Sequence, residues 1–300
     1  MAVVRPVDGV VTAHQQTEGG GFVVRRPFPT RGLDHLDPLL MLDEMGPVTY
    51  GPGEAIGAPD HPHRGFETVT YLLEGELEHA DSAGHAGSLS AGDVQWMTAG
   101  AGIVHREMPS RRVQAEGGTV HGFQLWVNLP KADKGTAPRY QEISARSIPS
   151  ASTPDGRASV KVLAGEALGV SAVIATRTPI VVHHWRLQPG AAVTTPIPAD
   201  HTLAVYVFAG TVTVAGTAVG RGQLAVLGAG DAVSLAAPSG ATEEAQSEEA
   251  QCLVLGGRPL REPIAWGGPF VMNRRDEVAQ AYEDFRAGRM GTIPAEIIRS

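Results

Sequence analysis

Two short pairs carry the chemistry that this sequence can do: His61 and His63 on either side of Pro62, and His105 and Glu107 on either side of Arg106. In an extended strand, residues two apart point to the same face with α-carbons roughly 6.5 to 7 Å apart, so either pair can close on one ion. Two such strands side by side give three imidazoles and one carboxylate. Without thiolate, that donor set suits Fe(II), Mn, Ni or Cu and leaves about two positions of an octahedral shell open for exogenous ligands. A closed structural zinc site is the alternative, but structural zinc mostly recruits cysteine, and Cys252 is the only cysteine in the chain. A lone His-x-His is weak evidence, because histidine is often a half-exposed polar residue; the second pair gives the first its weight.

Other polar residues flank these pairs. Glu67 lies four residues after His63, on the same face if the strand is regular, so it either faces the same cavity as a supporting acid or sits in a bulge and pairs with Arg64. Gln124 and Trp126 share a face and, with His121, either line a pocket or pack in the core, the latter being the commoner role. His79, His85, His183 and His184 read as surface or ordinary core histidines. Asp43-Glu44, after the apolar run Leu39 to Leu42, reads as a strand end rather than a second site.

Elements able to position the two pairs follow from composition and punctuation. With 37 Gly and 22 Pro in 300 residues, and Val, Leu and Ala dominating its apolar content, the chain suits many short strands joined by tight turns. Phe66 to Leu73, the turn at Gly75, a second strand-like run, then Gly92-Asp93 and Val94 to Met97 make a chain of hairpins. The order recurs in the second half as Leu203 to Phe208, Gly210, Thr211 to Val214, then Gly230-Asp231 and Ala232 to Leu235, which points to duplication of one β-barrel or sandwich module. Gly75 then maps to Gly210 and Gly92 to Gly230. By that register the ligand positions become Pro196, Pro198, Glu243 and Ala245, so the second module is expected to lack a metal site.

The polar run Lys131 to Pro138 reads as a linker, dividing the chain into residues 1–133, which bear the metal site, and 134–300. Asn273 is expected to cap a helix whose Val278, Ala281, Tyr282 and Phe285 share one face, with Gly288 at its end.

Composition excludes several classes. The formal net charge of -8 and the lack of a Lys/Arg block argue against direct nucleic-acid binding. A single cysteine rules out an intrachain disulfide and favours a reducing, cytoplasmic setting, and no basic region leading into an apolar run marks a signal peptide. The uncharged stretch Thr202 to Gly220 has the length of a membrane span, but its internal glycines and alternation read as strand, turn and strand; no membrane association is expected.

Longer motifs surround the two pairs: His61-Pro62-His63-Arg64-Gly65-Phe66-Glu67-Thr68-Val69, Gly92-Asp93-Val94-Gln95-Trp96-Met97-Thr98-Ala99-Gly100 and His105-Arg106-Glu107-Met108-Pro109, with Gln124 to Pro130 and Gly268 to Asn273 further on. In these the chain resembles the pirin family of the cupin superfamily over nearly its whole length. The resemblance implies an all-β fold of two cupin (jelly-roll β-barrel) domains in tandem with a short C-terminal helix. It also implies iron in the first barrel on His61, His63, His105 and Glu107, and none in the second. The activity it implies is a quercetin 2,3-dioxygenase-like one with O2; on a flavonol or related enol held at the open metal positions, Glu107 is the residue expected to accept the substrate's hydroxyl proton. Mn, Ni, Cu or Zn remain alternative metals. Pirin-like proteins are also associated with regulating transcription factors or metabolic enzymes, so the alternative is a non-enzymatic, redox-sensing regulator with a protein partner.

Overall fold

Strands make up most of the chain, as the glycine-punctuated β-branched runs require. The computed structural model describes residues 2–239 and 249–299. Two compact units emerge: one holds Gln15–Arg26, Leu40–Arg146 and Leu260–Ser300, and the other Met1–His14, Pro27–Leu39 and Ser147–Pro259. They are termed the first and second barrel below. Each is assembled from separated stretches, where the sequence places one cut between residues 133 and 134. The physical reasons are two: Val7–Thr12 pairs antiparallel with Gln223–Leu227, and the bridge Arg64 to Phe270 ties the C-terminal stretch to the first barrel.

Both barrels repeat one layout, a seven-stranded sheet with a four-stranded one. In the first, the large sheet runs Arg139–Ile143, Val94–Thr98, Phe66–Glu74, Gly118–Asn128, Leu39–Tyr50, Phe22–Phe28, His14–Glu18. The small sheet runs Ala58–His63, Ile103–Pro109, Glu76–Asp81, Ala86–Ser90. In the second, the large sheet runs Val7–Thr12, Gln223–Leu227, Thr202–Ala209, Ala250–Gly257, Ile180–Leu187, Ala158–Ala164, Ser150–Ser152. Its small sheet runs Ala192–Pro196, Ala232–Ala236, Thr211–Val214, Thr217–Gly220. The Thr202 to Gly220 stretch is therefore strand and turn, and no helix among the described residues is long and apolar enough to cross a membrane.

The duplication is thus real, and its register differs in one place from the sequence reading. Gly75 and Gly210 do correspond, but Val94–Thr98 has Gln223–Leu227 as its counterpart, so Gly92 matches Gly222. The two glycines even make the same bond, Gly92 N–H to Leu72 O at 2.6 Å and Gly222 N–H to Val207 O at 2.7 Å. Gly230-Asp231 resembles Gly92-Asp93 only in sequence. The counterparts of the ligand strands are Ala192–Pro196 and Ala232–Ala236, whose buried side chains include Val193, Thr195, Val233 and Leu235, with Ala232. Pro198 lies beyond the first of these strands, and Glu243 and Ala245 lie outside the described residues.

The run read as a linker is instead built into the first barrel. Lys131–Asp133 forms a 3-10 turn, and Lys134 is only 4% exposed. Its ammonium donates to Gly65 O (2.7 Å), Asn128 Oδ1 (2.6 Å) and Val271 O (2.9 Å), using all three of its donors. Burial nonetheless pulls its pKa down to about 8. The amine thereby clamps the turn directly after His63. Gly65, at φ +87°, has no room for a Cβ, which would stand 2.0 Å from Val271 O.

The expected helix is present as Arg275–Arg286, with Arg274 rather than Asn273 at its N-cap. The Glu277 carboxylate reaches back to both backbone amides, 3.1 Å to Asn273 and 3.0 Å to Arg274, a capping-box contact. Ala281 packs with Ala80, Val104 and Phe270, joined by Val278 and Tyr282; Phe285 is left partly exposed.

The interior of the second barrel holds Val181, Trp185, Val205 and Val254, and among them His183, whose strand neighbours are Val162 and Val254. His183 is fully buried with neither ring nitrogen bonded to protein, and burial lowers its pKa to about 4. An unfolded histidine titrates near 6.5, so between these values the unfolded chain takes up a proton that the folded barrel refuses. Stability is therefore fully present above about pH 6.5 and falls by about 3 kcal/mol as the pH drops toward 4. Urea unfolding of the second barrel at pH 7.5 and 4.5 is expected to show this loss, and His183→Leu to flatten it.

Candidate metal centre

The small sheet of the first barrel sets the register of the two ligand pairs. His105 lies directly opposite His61, and Ile103 opposite His63. Beyond His105 the pairing slips, so that Glu107 faces Ala58; such a bulge re-aims the side chains that follow it. On its other edge the same strand pairs regularly with Glu76–Asp81, placing Glu107 beside His79 and His105 beside Asp81.

Three imidazoles converge. The ligand-capable ring nitrogens of His61, His63 and His105 lie within 4.8 Å of one another. His61 Nε2 and His63 Nε2 are 3.1 Å apart, while His61 Nδ1 lies 2.7 Å from Pro59 O. With the proton on Nδ1 directed at that carbonyl, the Nε2 lone pair is left toward the cluster. His63 is packed against Phe66 and Trp126, with ring centroids 5.0 and 5.1 Å away, and the two aromatics stack at 4.2 Å.

Electrostatics favour the ligating form. Burial, then the neighbouring imidazoles, hold His63 and His105 well below the ordinary histidine range. Both are thus neutral near pH 7, with lone pairs to give. His105 is fully buried and neither of its ring nitrogens has a protein partner, an arrangement that costs about 1–3 kcal/mol unless something else binds there. A divalent cation is such a partner, and this donor set fits one.

Glu107 stands at the edge of the cluster. Its Oε2 lies 4.0 Å from His105 Nε2, and its Oε1 accepts a 2.8 Å hydrogen bond from the Thr70 hydroxyl. Gln124 in turn donates to Thr70 Oγ1 at 3.4 Å. Glu107 and Gln124 line a cavity of about 50 Å³ together with Phe22, Val48, Tyr50 and Ile56. Three apolar side chains at its rim are exposed: Val23 (52%), Val48 (37%) and Ile56 (40%).

The profile of the family described as Pirin matches residues 21–127, and that of the Pirin C-terminal cupin domain matches residues 182–291. The mouse protein named Pirin is 43% identical over 296 residues, covering 97% of this chain and 96% of the mouse one. The chain belongs to the pirin family. A pirin-like protein of tomato is 43% identical over 284 residues, 94% of this chain and 91% of its own. Among solved structures, the quercetin 2,3-dioxygenase of Acinetobacter baumannii superposes with a TM-score of 0.89 at 37% identity, over 97% of this chain and all of that one (100%). Two cupin domains in tandem are thereby shown.

Within this pirin, the flanking polar residues fall differently from the sequence reading. Glu67 is buried and accepts a 2.6 Å bond from Thr98, whereas Arg64 pairs with Asp284 at 2.6 Å. Asp43 and Glu44 are not a strand end. They lie within Leu39–Tyr50, buried, with Asp43 held by Arg26 (2.7 Å) and Glu44 by His121 (3.0 Å). His79 is a core histidine, 2.5 Å from Glu142 and stacked 5.1 Å from Tyr140. His85 is paired with Asp81 at 2.9 Å, and His184 with Gln251 at 3.0 Å.

Thr70 and the Phe22, Val48 and Ile56 wall escaped sequence reasoning. The signal for Thr70 was its parity within Phe66–Glu74; the wall comes from segments with no motif. Metal-stripped protein titrated with Co(II) is expected to take up one ion per chain by equilibrium dialysis, and His105→Ala to weaken uptake by roughly 100-fold.

Proposed function

We propose that this pirin is a metal-dependent dioxygenase that cleaves a flavonol such as quercetin, or a related enol, with O2. The observation that carries this reading is the convergence of three imidazoles, two of them buried and neutral, beside a carboxylate that lines a cavity. His61, His63, His105 and Glu107 would hold the ion, and Fe(II) is the metal that the donor set and the family favour over Mn, Ni, Cu or Zn. Bound there, it would supply Lewis acidity and redox chemistry toward an enolate and O2.

The chain's own residues supply the rest. Glu107 takes the proton of the substrate's enolic hydroxyl, a task for a carboxylate within hydrogen-bond reach of the bound group. Thr70, donating to Oε1, fixes the carboxylate's orientation and leaves Oε2 on the imidazole side. The cavity, about 50 Å³, has room for only a few atoms, so it receives the chelating edge of the substrate. The flat remainder of the ring system lies against Val23, Val48 and Ile56 at the rim, whose exposure supplies the apolar surface it needs. Phe22 and Tyr50 close the sides and limit water at the reacting edge.

A second reading rests on the same rim. An exposed apolar patch beside a redox-active centre is also what a regulator needs if it reports oxidation state to a protein partner. A cytoplasmic setting, as the single cysteine favours, accommodates either reading. Aerobic assay of iron-loaded protein with quercetin distinguishes them. Loss of the flavonol band above that given by free iron is expected, with Glu107→Gln slowing it about 100-fold and His105→Ala abolishing it. Turnover no faster than free iron, or unchanged in His105→Ala, would remove the enzymatic reading, and identical partner capture by reduced and oxidised protein would remove the regulatory one.

A further inference from the structure

The second barrel carries a cavity of its own. A cleft of about 960 Å³ opens at its mouth, walled by Ala167, Leu168, Ile174, Val181 and Ile197. That volume is at the upper end of small-molecule sites. Thr195 also lines it; this residue is fully buried, and its hydroxyl has no protein partner. One inward position beyond Val181 on the same strand stands His183, with both ring nitrogens equally unpartnered. Leaving such groups unsatisfied is costly, and the interior around them is otherwise apolar.

The rim shows what kind of molecule fits. Its basic side chains are already engaged: Arg258 Nε lies 2.7 Å from Asp200, and His201 Nδ1 lies 2.9 Å from the same carboxylate, while the carboxylates of Glu166 and Asp231 also line the cleft. Arg5 is bound to backbone oxygens, donating to Pro198 O at 2.9 Å and Gly228 O at 3.0 Å, and so fixes the Pro196 to Ala199 wall. An anionic ligand would find carboxylates and no free cation at these groups, whereas a polar neutral one finds the unpartnered Thr195 hydroxyl among the apolar walls. Ala192–Pro196, which carries Thr195, is the counterpart of the strand bearing His61 and His63. Duplication kept a cavity at this end of the small sheet and replaced its donors.

We propose that the second barrel is a separate binding site for a small uncharged ring compound bearing a hydroxyl or carbonyl group. Its polar group meets the Thr195 hydroxyl, and its ring lies between Ala167, Leu168, Ile174 and Ile197. The test is a fluorescence titration with 2-naphthol, and with 2-naphthoate as the charged counterpart. It uses the full chain and a His61→Ala/His63→Ala variant that disables the first-barrel cluster.

Saturable binding of one 2-naphthol per chain is expected in both proteins, with 2-naphthoate at least tenfold weaker. Thr195→Val, which keeps the shape and removes the hydroxyl, is expected to weaken 2-naphthol about tenfold. Ala172→Trp, a substitution at the half-buried lip of the cleft, is expected to block it while leaving the circular dichroism and Tm of the protein unchanged. The proposal is overturned by any of three results: no saturable binding, loss of binding in His61→Ala/His63→Ala, or indifference to Thr195→Val in a folded variant. Equal affinity for 2-naphthoate would overturn the assignment of an uncharged ligand.

Discussion

Convergence of three imidazoles at one point, two of them buried, is the constraint on which the first barrel is built. A histidine in water is partly charged near neutral pH and repels its like, whereas desolvation keeps His63 and His105 neutral and lets the ligand-capable nitrogens of the three rings lie within 4.8 Å of one another. The surrounding structure serves to hold that arrangement. Phe66 and Trp126 wall in His63, Pro59 O fixes one face of His61, and Lys134 pins Gly65 at the exit of the strand. Glu107 is left at the edge, reached through a bulge and steadied by Thr70, where it meets both the rings and the cavity. Such a placement suits a group that must exchange a proton with a bound molecule.

The two barrels show how one scaffold supports different interiors. Strand order and hairpin sequence are the same in both except at one edge of the large sheet, where Arg139–Ile143 follows the other strands of its barrel and Val7–Thr12 precedes those of the second, so the backbone solution to packing two twisted sheets was retained. What changed is the inward set on one pair of strands: imidazoles and a carboxylate in the first barrel, and Val193, Thr195, Val233 and Leu235 in the second. The second barrel fills its interior with Trp185, Val205 and Val254, yet keeps His183 and Thr195 as polar residues within it. Packing therefore constrains the backbone more tightly than it constrains the chemistry inside.

The part of this arrangement that was legible in the sequence is the part governed by local periodicity. His61, His63, His105 and Glu107 could be paired because strand alternation is a two-residue rule, and the repeat was visible through Gly75 and Gly210. Long-range partners were not legible. Asp43 and Glu44 looked like a strand end because nothing nearby reveals that Arg26 and His121 hydrogen-bond to them inside the sheet. Lys134 sat in a run with the composition of a linker, and only the fold brings Gly65 O, Asn128 and Val271 O around its amine. The match of Gly92 to Gly230 failed for a related reason: two turns share a Gly-Asp sequence, while the hydrogen bond that defines the equivalent turn is made by Gly222.

The claim that His61, His63 and His105 share a single ion is tested most directly by X-ray absorption at the metal edge of the protein purified without chelator. The account predicts an inner shell containing three imidazole nitrogens, with oxygen in the remaining positions and the imidazole signature diminished in His63→Ala. A shell of oxygen alone, or a spectrum identical in the His63→Ala protein, would contradict it.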